Sequence, residues 1–548
     1  MGVEVFKDYL VFILYPTLIK FINLVFFKVL LMKNKILFLK ARTGIDDPSP
    51  PLSFGYLGGI AKEKGFEVLV ENLNAQYNNF SNQDIIELIK KEKPDIVGVH
   101  IFTNAARDSY KLIKMIRPHS KMIIAGGPHA TAYPEEILER GVDIAFVGEA
   151  DISFGKFLDS ILSKKSLKKV KGIVYKEKGK VIKTKPADSV VNLDVIPLQD
   201  KSIHRKSDYV KVKDEINNFG QILSTRGCPG RCTYCFSLFN KCYRYMSAKK
   251  VFDEILQLHK DYDINFFNFI DDAFTIDKKR LNELCDLFIN SDLNLKWSCG
   301  TRVDFLDEEI ISKMKEAGCE MITLGIETCL PKTLKEMDKV IGANGITTPQ
   351  LYTKRADDIL KWCYRKNIRV GVNALTGFPW ETAKDMREMQ DYINRIKKYV
   401  TQGFYGGILQ PQPGTKMYNE YAKEYGFEEW WIHKKPLFED TSYHPFFMTY
   451  YHQYWDHLHN DFFKFDKEMF KELDKLYRLM GRWNIYIFAR RRFGKNFLSY
   501  GIYQGVLFLS KISYLIFKVS PKIERILMER VKKFSYQFKF RKGNKNLN

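Results

Sequence analysis

The segment STRGCPGRCTYCFS, residues 224–237, crowds Cys228, Cys232 and Cys235 into eight positions. Thiolates are soft ligands and nucleophiles, so the spacing admits a zinc ion, a dithiol redox pair or an iron–sulfur cluster. A structural zinc ion asks for a fourth ligand, usually from a second cysteine knuckle. Cys242 and His204 are the nearest candidates, and neither forms one. A redox pair would use Cys232 and Cys235 as C-x-x-C and leave Cys228 without a role. Three thiolates can instead hold three irons of a [4Fe–4S] cluster, leaving the fourth iron open to another ligand. Gly227, Pro229 and Gly230 let such a loop wrap tightly, and Arg226 and Arg231 are expected to face the net-negative cluster. The other six cysteines (Cys242, Cys285, Cys299, Cys319, Cys329 and Cys363) read as small hydrophobes. His452, His457 and His459 of YHQYWDHLHN read as helix packing or substrate lining.

Two series of alternating elements must position this loop. From Lys33, apolar runs such as KILFLKA, EVLVENL, DIVGVHI, KMIIAGG and VDIAFVG alternate with helical patterns. That alternation predicts an α/β unit with a doubly wound parallel sheet over residues 33–165. Ligands of such sheets bind at the carboxyl ends of the strands, where PPLSFGYLGG, IFTNA and AGGPHA stand. Residues 166–217 read as a linker with a hairpin turning at Gly179. A second series over 218–427 has strands QILSTRG, NFFNFID, LKWSCGT, MITLGIE, IRVGVNALTG and FYGGILQPQPG. Six βα units fit a partial (β/α)6 barrel of the TIM type, with its chemistry at the strand C-termini. The cysteine loop follows the first of these strands. Residues 428–548 form a helical region rich in aromatic and basic residues.

Nine cysteines without framework spacing point to reduced thiols and a cytoplasmic setting. The net charge of +22 implies an anionic partner, either nucleic acid or an acidic membrane surface. Residues 1–32 include the apolar stretch Tyr9–Met32, which lacks a signal-peptide cleavage site and carries Lys20 at its middle. A charge there costs roughly 3 kcal/mol on insertion scales, so an in-plane interfacial helix is favoured over a span. Met32 directly precedes the first strand, so residues 1–31 are also readable as an extension ahead of an internal start. From Arg490 onward there are 15 Lys and Arg against 2 Glu, a charge of +13 over 59 residues, around the apolar run Phe497–Phe517. Two membrane-facing patches follow as an expectation, with the protein peripheral at the inner face of the cell membrane.

C-x-x-x-C-x-x-C after the first strand of a partial barrel, with Tyr234 before the third cysteine, resembles the signature of radical S-adenosylmethionine (SAM) enzymes. The resemblance runs through most of residues 34–425. It implies that Cys228, Cys232 and Cys235 hold a [4Fe–4S] cluster whose open iron binds SAM. FIDDAF, with Asp271 and Asp272, resembles the element that contacts the cofactor's amino group. Arg302 of WSCGTRVD and Glu327 of LGIET stand at positions the family associates with the same cofactor. TGFPWET and PQPGT fit the branch whose barrel follows a cobalamin-binding-like Rossmann domain. There AGGPHA puts Gly126 and Gly127 where the backbone approaches the nucleotide tail, and Thr103 stands on the same rim. The first βα loop lacks the D-x-H-x-x-G histidine, and HIF, His100 to Phe102, replaces the small S-x-L element. His100 and His129 therefore read as polar loop residues rather than cobalt ligands.

By that resemblance the expected activity is cobalamin-dependent methylation of an unactivated carbon through a 5′-deoxyadenosyl radical. Cyclisation, oxidation and carbon–carbon coupling are the alternatives. The expected partners are a lipid or other small-molecule substrate and a one-electron donor such as ferredoxin or flavodoxin. Methylthiotransferase cousins modify transfer RNA, but their cysteine-bearing N-terminal domain and C-terminal β-barrel are not visible here. Nucleic acid is accordingly disfavoured.

Overall fold

The computed structural model describes residues 34–41, 49–73, 80–205, 219–239, 241–433 and 461–520, together with Ile523. The apolar segment Tyr9–Met32, the tail beyond Ile523 and His452, His457 and His459 lie outside the described residues.

In the first domain β1 (Lys35–Lys40), β2 (Glu67–Asn72), β3 (Ile96–His100), β4 (Ile123–Gly126) and β5 (Ile144–Phe146) pair in parallel in the order β2-β1-β3-β4-β5. Side chains alternate across a strand, and both faces of this sheet are apolar. Ile36 and Phe38 pack with Phe54, Phe154 and Phe157 of helices α1 (Leu52–Glu63) and α4 (Asp151–Leu162). Leu37 and Leu39 face the larger core that contains Ile85, Ile89 and Ile113 of α2 (Asn82–Glu92) and α3 (Ala106–Ile116). The chain leaves β1 towards one side and returns as β3 on the other, so the strand order reverses between them. Lys40, His100 and Gly126 end their strands side by side at that crevice. The hairpin of the expected linker is β6 (Ile173–Glu177) and β7 (Lys180–Lys183), and it joins this sheet antiparallel on β5.

The second sheet is wholly parallel. Its strands are β8 (Gln221–Ile222), β11 (Phe266–Phe269), β12 (Lys296–Arg302), β13 (Cys319–Glu327), β14 (Arg369–Thr376) and β15 (Gly403–Ile408), hydrogen-bonded in that order. β8 and β15 do not pair, so the barrel stays open. Helices α5 (Ala248–Tyr262), α6 (Lys278–Ile289), α7 (Glu308–Glu316), α8 (Pro349–Arg365) and α9 (Ala383–Ile396) link the strands. Trp297, Phe269, Phe274 and Phe288 stack together in the core, and the Trp297 indole N–H donates to Ala317 O at 2.7 Å. QILSTRG does not run as one strand. After Ile222 the chain turns, and β9 (Thr225–Arg226) pairs antiparallel with β10 (Arg244–Tyr245). The cysteine loop is thereby closed at its base.

C-terminal helices cover the outer edge. From α11 (Lys467–Phe493), following α10 (Lys416–Tyr425), the Asn484 amide bonds both the N–H and the C=O of Phe404 in β15, each at 2.8 Å. The edge strand is thus satisfied at Phe404. α12 (Phe497–Val519) packs on α11 and leaves Phe497, Phe508, Leu515 and Val519 exposed. Among the described residues no helix is long and apolar enough to cross a membrane.

Candidate active site

The cysteine loop sits at the C-terminal end of the second sheet, and its glycines set its path. Gly227 takes φ +81°, a region that costs a side chain but not glycine. The Gly230 N–H points at Cys228 Sγ, 3.4 Å away. A Cβ on Gly230 would stand 2.7 Å from Arg302 Nη1, so glycine there admits the guanidinium between the thiols. Arg302 ends β12 with Nη1 3.4 Å from Cys232 Sγ. Asp304 grips its other edge at 3.0 and 2.7 Å, and Lys339 O accepts from Nη2 at 2.6 Å. Burial raises the Cys228 thiol, while the Gly230 amide and the Arg302 charge lower it.

Glu327 ends β13 at φ +69°, beside a register shift against β14. A non-glycine residue in that conformation is strained and persists where its surroundings hold it. Its carboxylate accepts from Lys339 Nζ at 3.0 Å, and the same ammonium lies 3.4 Å from Tyr234 OH. Lys339 is 3% exposed. Burial pulls its pKa down, but Glu327 together with Tyr234, Tyr352 and Cys232 outweighs this and leaves it above the ordinary lysine value.

Cys228, Cys232, Cys235, Tyr234, Arg302 and Glu327 therefore gather around one loop, and Lys339 joins them. Sequence reasoning missed Lys339; its only signal is a lysine inside the apolar stretch around EMDKVI. Among the described residues no three His, Cys, Asp or Glu side chains converge closely enough to hold a single metal ion. A cuboidal cluster asks for something different, one thiolate per iron, and the three free cysteines of one loop meet that donor requirement.

Several expectations need correction. Arg226 does not face the thiols; it forms a two-pronged pair with Asp151 at 2.7 and 3.0 Å and meets Glu149 at 3.0 Å. Arg231 is largely exposed and pairs with Asp338. The cations at the loop are Arg302 and Lys339. Asp271 is buried against the N–H of Thr225 and the hydroxyl of Ser224, and burial pushes its pKa up to about 6. It braces the chain that enters the loop, whereas its neighbour Asp272 is exposed to the cavity described below. Cys242 is exposed, while Cys285, Cys299, Cys319 and Cys363 are buried. His129 is not a loop residue: it lies in the short helix Pro128–Ala132 and is fully buried, with Tyr110 OH at 2.7 Å and the Thr103 hydroxyl at 3.3 Å. Thr103 is itself buried and does not line the cavity described below.

A cavity of about 490 Å³ lies between the two domains. Its first wall is the strand-order crevice, with Lys40, His100, Gly126 and Gly127; its second includes Arg226, Phe239 and Asp272. The first wall has the features a flat cofactor with a long tail needs. Gly127, at φ +107°, has no room for a Cβ, which would stand 2.4 Å from His100 Cδ2. A Cβ on Gly148, at φ +78°, would have nothing within 4 Å, so the backbone there is open to a ligand. Burial and the Lys40 charge lower the pKa of His100 to about 3, and its imidazole is neutral.

Comparison with known proteins agrees with this geometry. Residues 43–158 match the B12 binding domain family and residues 222–393 the radical SAM superfamily. An uncharacterized methyltransferase of Pyrococcus horikoshii is 31% identical over 68% of this chain and 78% of its own. The anaerobic magnesium-protoporphyrin IX monomethyl ester cyclase of Rubrivivax gelatinosus is 30% identical over 62% of this chain and 61% of its own. In fold, the radical SAM methyltransferase TsrM of Kitasatospora setae, solved with cobalamin and a [4Fe–4S] cluster, aligns with a TM-score of 0.58 at 18% identity. That alignment covers 72% of this chain and 75% of that one. Two family domains in tandem, on the two walls of one cavity, identify the chain as a member of the cobalamin-dependent, methyltransferase-like branch of the radical SAM superfamily, an enzyme whose cofactors are a [4Fe–4S] cluster, SAM and cobalamin.

Proposed function

We propose that this enzyme methylates an unactivated carbon of an apolar, lipid-like substrate at an anionic membrane surface. The observation that carries the methyl-transfer reading is the shared cavity: the B12-binding sheet lines one side of it, and Arg226, Phe239 and Asp272 of the radical SAM domain, which flank the cysteine loop or follow the next strand, line the other. In this reading the bound cofactors supply a 5′-deoxyadenosyl radical for hydrogen abstraction and a methyl group for transfer. Cys228, Cys232 and Cys235 hold three irons. Tyr234 and Arg302 line the thiols, and Glu327, clamped by Lys339, would help to hold SAM beside them. Asp272 is the cavity-facing carboxylate for the amino group, with Asp271 bracing the loop behind it. Gly126, Gly127 and Gly148 let the backbone approach cobalamin, and His100 adds a neutral polar edge. Both domains contribute walls that would limit water around a carbon radical.

The apolar substrate is supported by α12. Phe497 and Val519 are 88% and 87% exposed, and Arg490, Arg491 and Arg492 precede the helix. An apolar face beside a basic tail of charge +13 suits an anionic bilayer. The electron donor in this reading is a ferredoxin or flavodoxin.

The test uses anaerobically reconstituted protein with cobalamin, reductant and SAM, assayed for 5′-deoxyadenosine and S-adenosylhomocysteine in the presence of a lipid extract. Both products and a methylated lipid are expected. The kinship to a cyclase makes the second outcome informative: 5′-deoxyadenosine without S-adenosylhomocysteine would replace methyl transfer by cyclisation, oxidation or coupling. Flotation with phosphatidylglycerol vesicles tests the surface. Undiminished binding after deletion of residues 1–31 and 497–548 would exclude the terminal patches.

A further inference from the structure

Three buried charged side chains and a half-buried fourth meet between the two domains. Glu149 and Asp151 follow β5 and line the cavity. Arg226 stands two residues before Cys228, and Arg244 nine residues after Cys235, so the two arginines bracket the cysteine loop on the paired strands β9 and β10. Glu149 serves both. Its Oε2 accepts from Arg226 Nη1 at 3.0 Å and Arg244 Nη1 at 3.1 Å, and its Oε1 accepts from Arg244 Nη2 at 2.5 Å. Asp151 completes the Arg226 pairing, and Arg244 also donates to Val190 O and Phe239 O at 2.9 and 3.1 Å. The side chains of Arg226, Arg244 and Glu149 are each 6% exposed or less.

Buried ion pairs are poor sources of net stability, because desolvation offsets their attraction; their best-attested use is to fix one arrangement of the parts. Two-pronged guanidinium–carboxylate contacts add directional restraint. Here the parts are the cavity wall from Gly148 to Asp151 and the two ends of the cysteine loop. We infer that Glu149 is a positioning residue whose carboxylate makes cobalamin binding in the cavity and SAM binding at the cysteine loop mutually reinforcing. This rests on the assignment of those cofactors to the two walls. A ligand that orders one wall hands the restraint to the other through rigid contacts, and by linkage the effect is equal in both directions.

The experiment measures hydroxocobalamin binding to the full-length, cluster-reconstituted, oxidised protein by equilibrium dialysis, with and without saturating SAM. SAM binding with and without cobalamin is measured in parallel. Wild-type protein is expected to bind each cofactor at least about fivefold more tightly when the other is present, the lower end of ordinary coupling. In Glu149→Gln the ratio falls to one while both cofactors still bind. Arg244→Gln, which keeps the Arg226–Asp151 pair, gives the same loss should Glu149→Gln not fold. Lys64→Ala, which removes a solvent-facing pair with Asp159 on α4, keeps the wild-type ratio. A wild-type ratio of one, or an unchanged ratio in both latch variants, overturns the inference. Failure of wild-type protein to bind cobalamin at all would instead overturn the cofactor assignment beneath it.

Discussion

Replacing Lys339 with methionine isolates the clamp on Glu327. The two side chains meet at 3.0 Å, and Lys339 and Glu327 are 3% and 9% exposed. Removing one partner of such a pair leaves an uncompensated charge and costs about 3–5 kcal/mol. The Glu327 backbone, at φ +69°, holds about 1–3 kcal/mol of strain that the pair helps to restrain. The carboxylate will therefore leave its position, and part of the cost will be recovered as water reaches it. A residual loss of about 2 kcal/mol corresponds to about 30-fold weaker SAM binding. Equilibrium dialysis of labelled SAM against oxidised, cluster-loaded protein reads this directly. A double-mutant cycle makes the reasoning strict. Lys339→Met with Glu327→Gln removes both charges, so the pair of changes should weaken binding no more than Lys339→Met alone. If the two single effects multiply in the double variant, or if Lys339→Met binds SAM within twofold of wild type, the clamp does not exist as described.

Changing Cys228, Cys232 or Cys235 singly to alanine abolishes the cluster's visible absorption and reduces bound iron, whereas Cys242→Ala, at an exposed position, retains both. Gly127→Ala, whose Cβ would collide with His100, weakens cobalamin binding at least tenfold in dialysis without removing iron. Arg302→Met withdraws a cation 3.4 Å from a cluster thiol, which lowers the cluster's midpoint potential in an EPR-monitored redox titration, while Arg302→Lys lowers it less. Glu381 tests pH linkage. Burial pushes its carboxyl up to about 7, so the folded form prefers the proton; stability is greatest below the unfolded value of 4.5 and falls as pH rises through 7. The difference is up to about 3 kcal/mol, and Glu381→Gln flattens that component of the pH dependence of the thermal midpoint.

Much of this molecule was legible as sequence because its signals are local. Alternating apolar runs and helical patterns specify parallel sheets through side-chain periodicity, and they located β1 to β5 and the six barrel strands. Three cysteines in eight positions need no distant partner to announce a shared ligand. Glu327 and Arg302 were found through the resemblance of LGIET and WSCGTRVD to family elements, and the structure puts both at the ends of barrel strands. Other features depend on which distant segments meet. Arg226 beside a cysteine reads as a cluster cation, yet Glu149 and Asp151, about 75 residues earlier, claim it because β9 turns away from the sheet to pair with β10. Thr103 stands on the right rim in the chain, but a buried histidine takes its hydroxyl. Lys339 has no pattern of its own and becomes part of the site only because the Glu327 carboxylate, fixed at a β-bulge, needs a buried counter-charge. Periodicity and short spacings are written in the chain. Burial forces charges to find partners, and which partner is within reach is decided only when the two sheets pack across their common cavity.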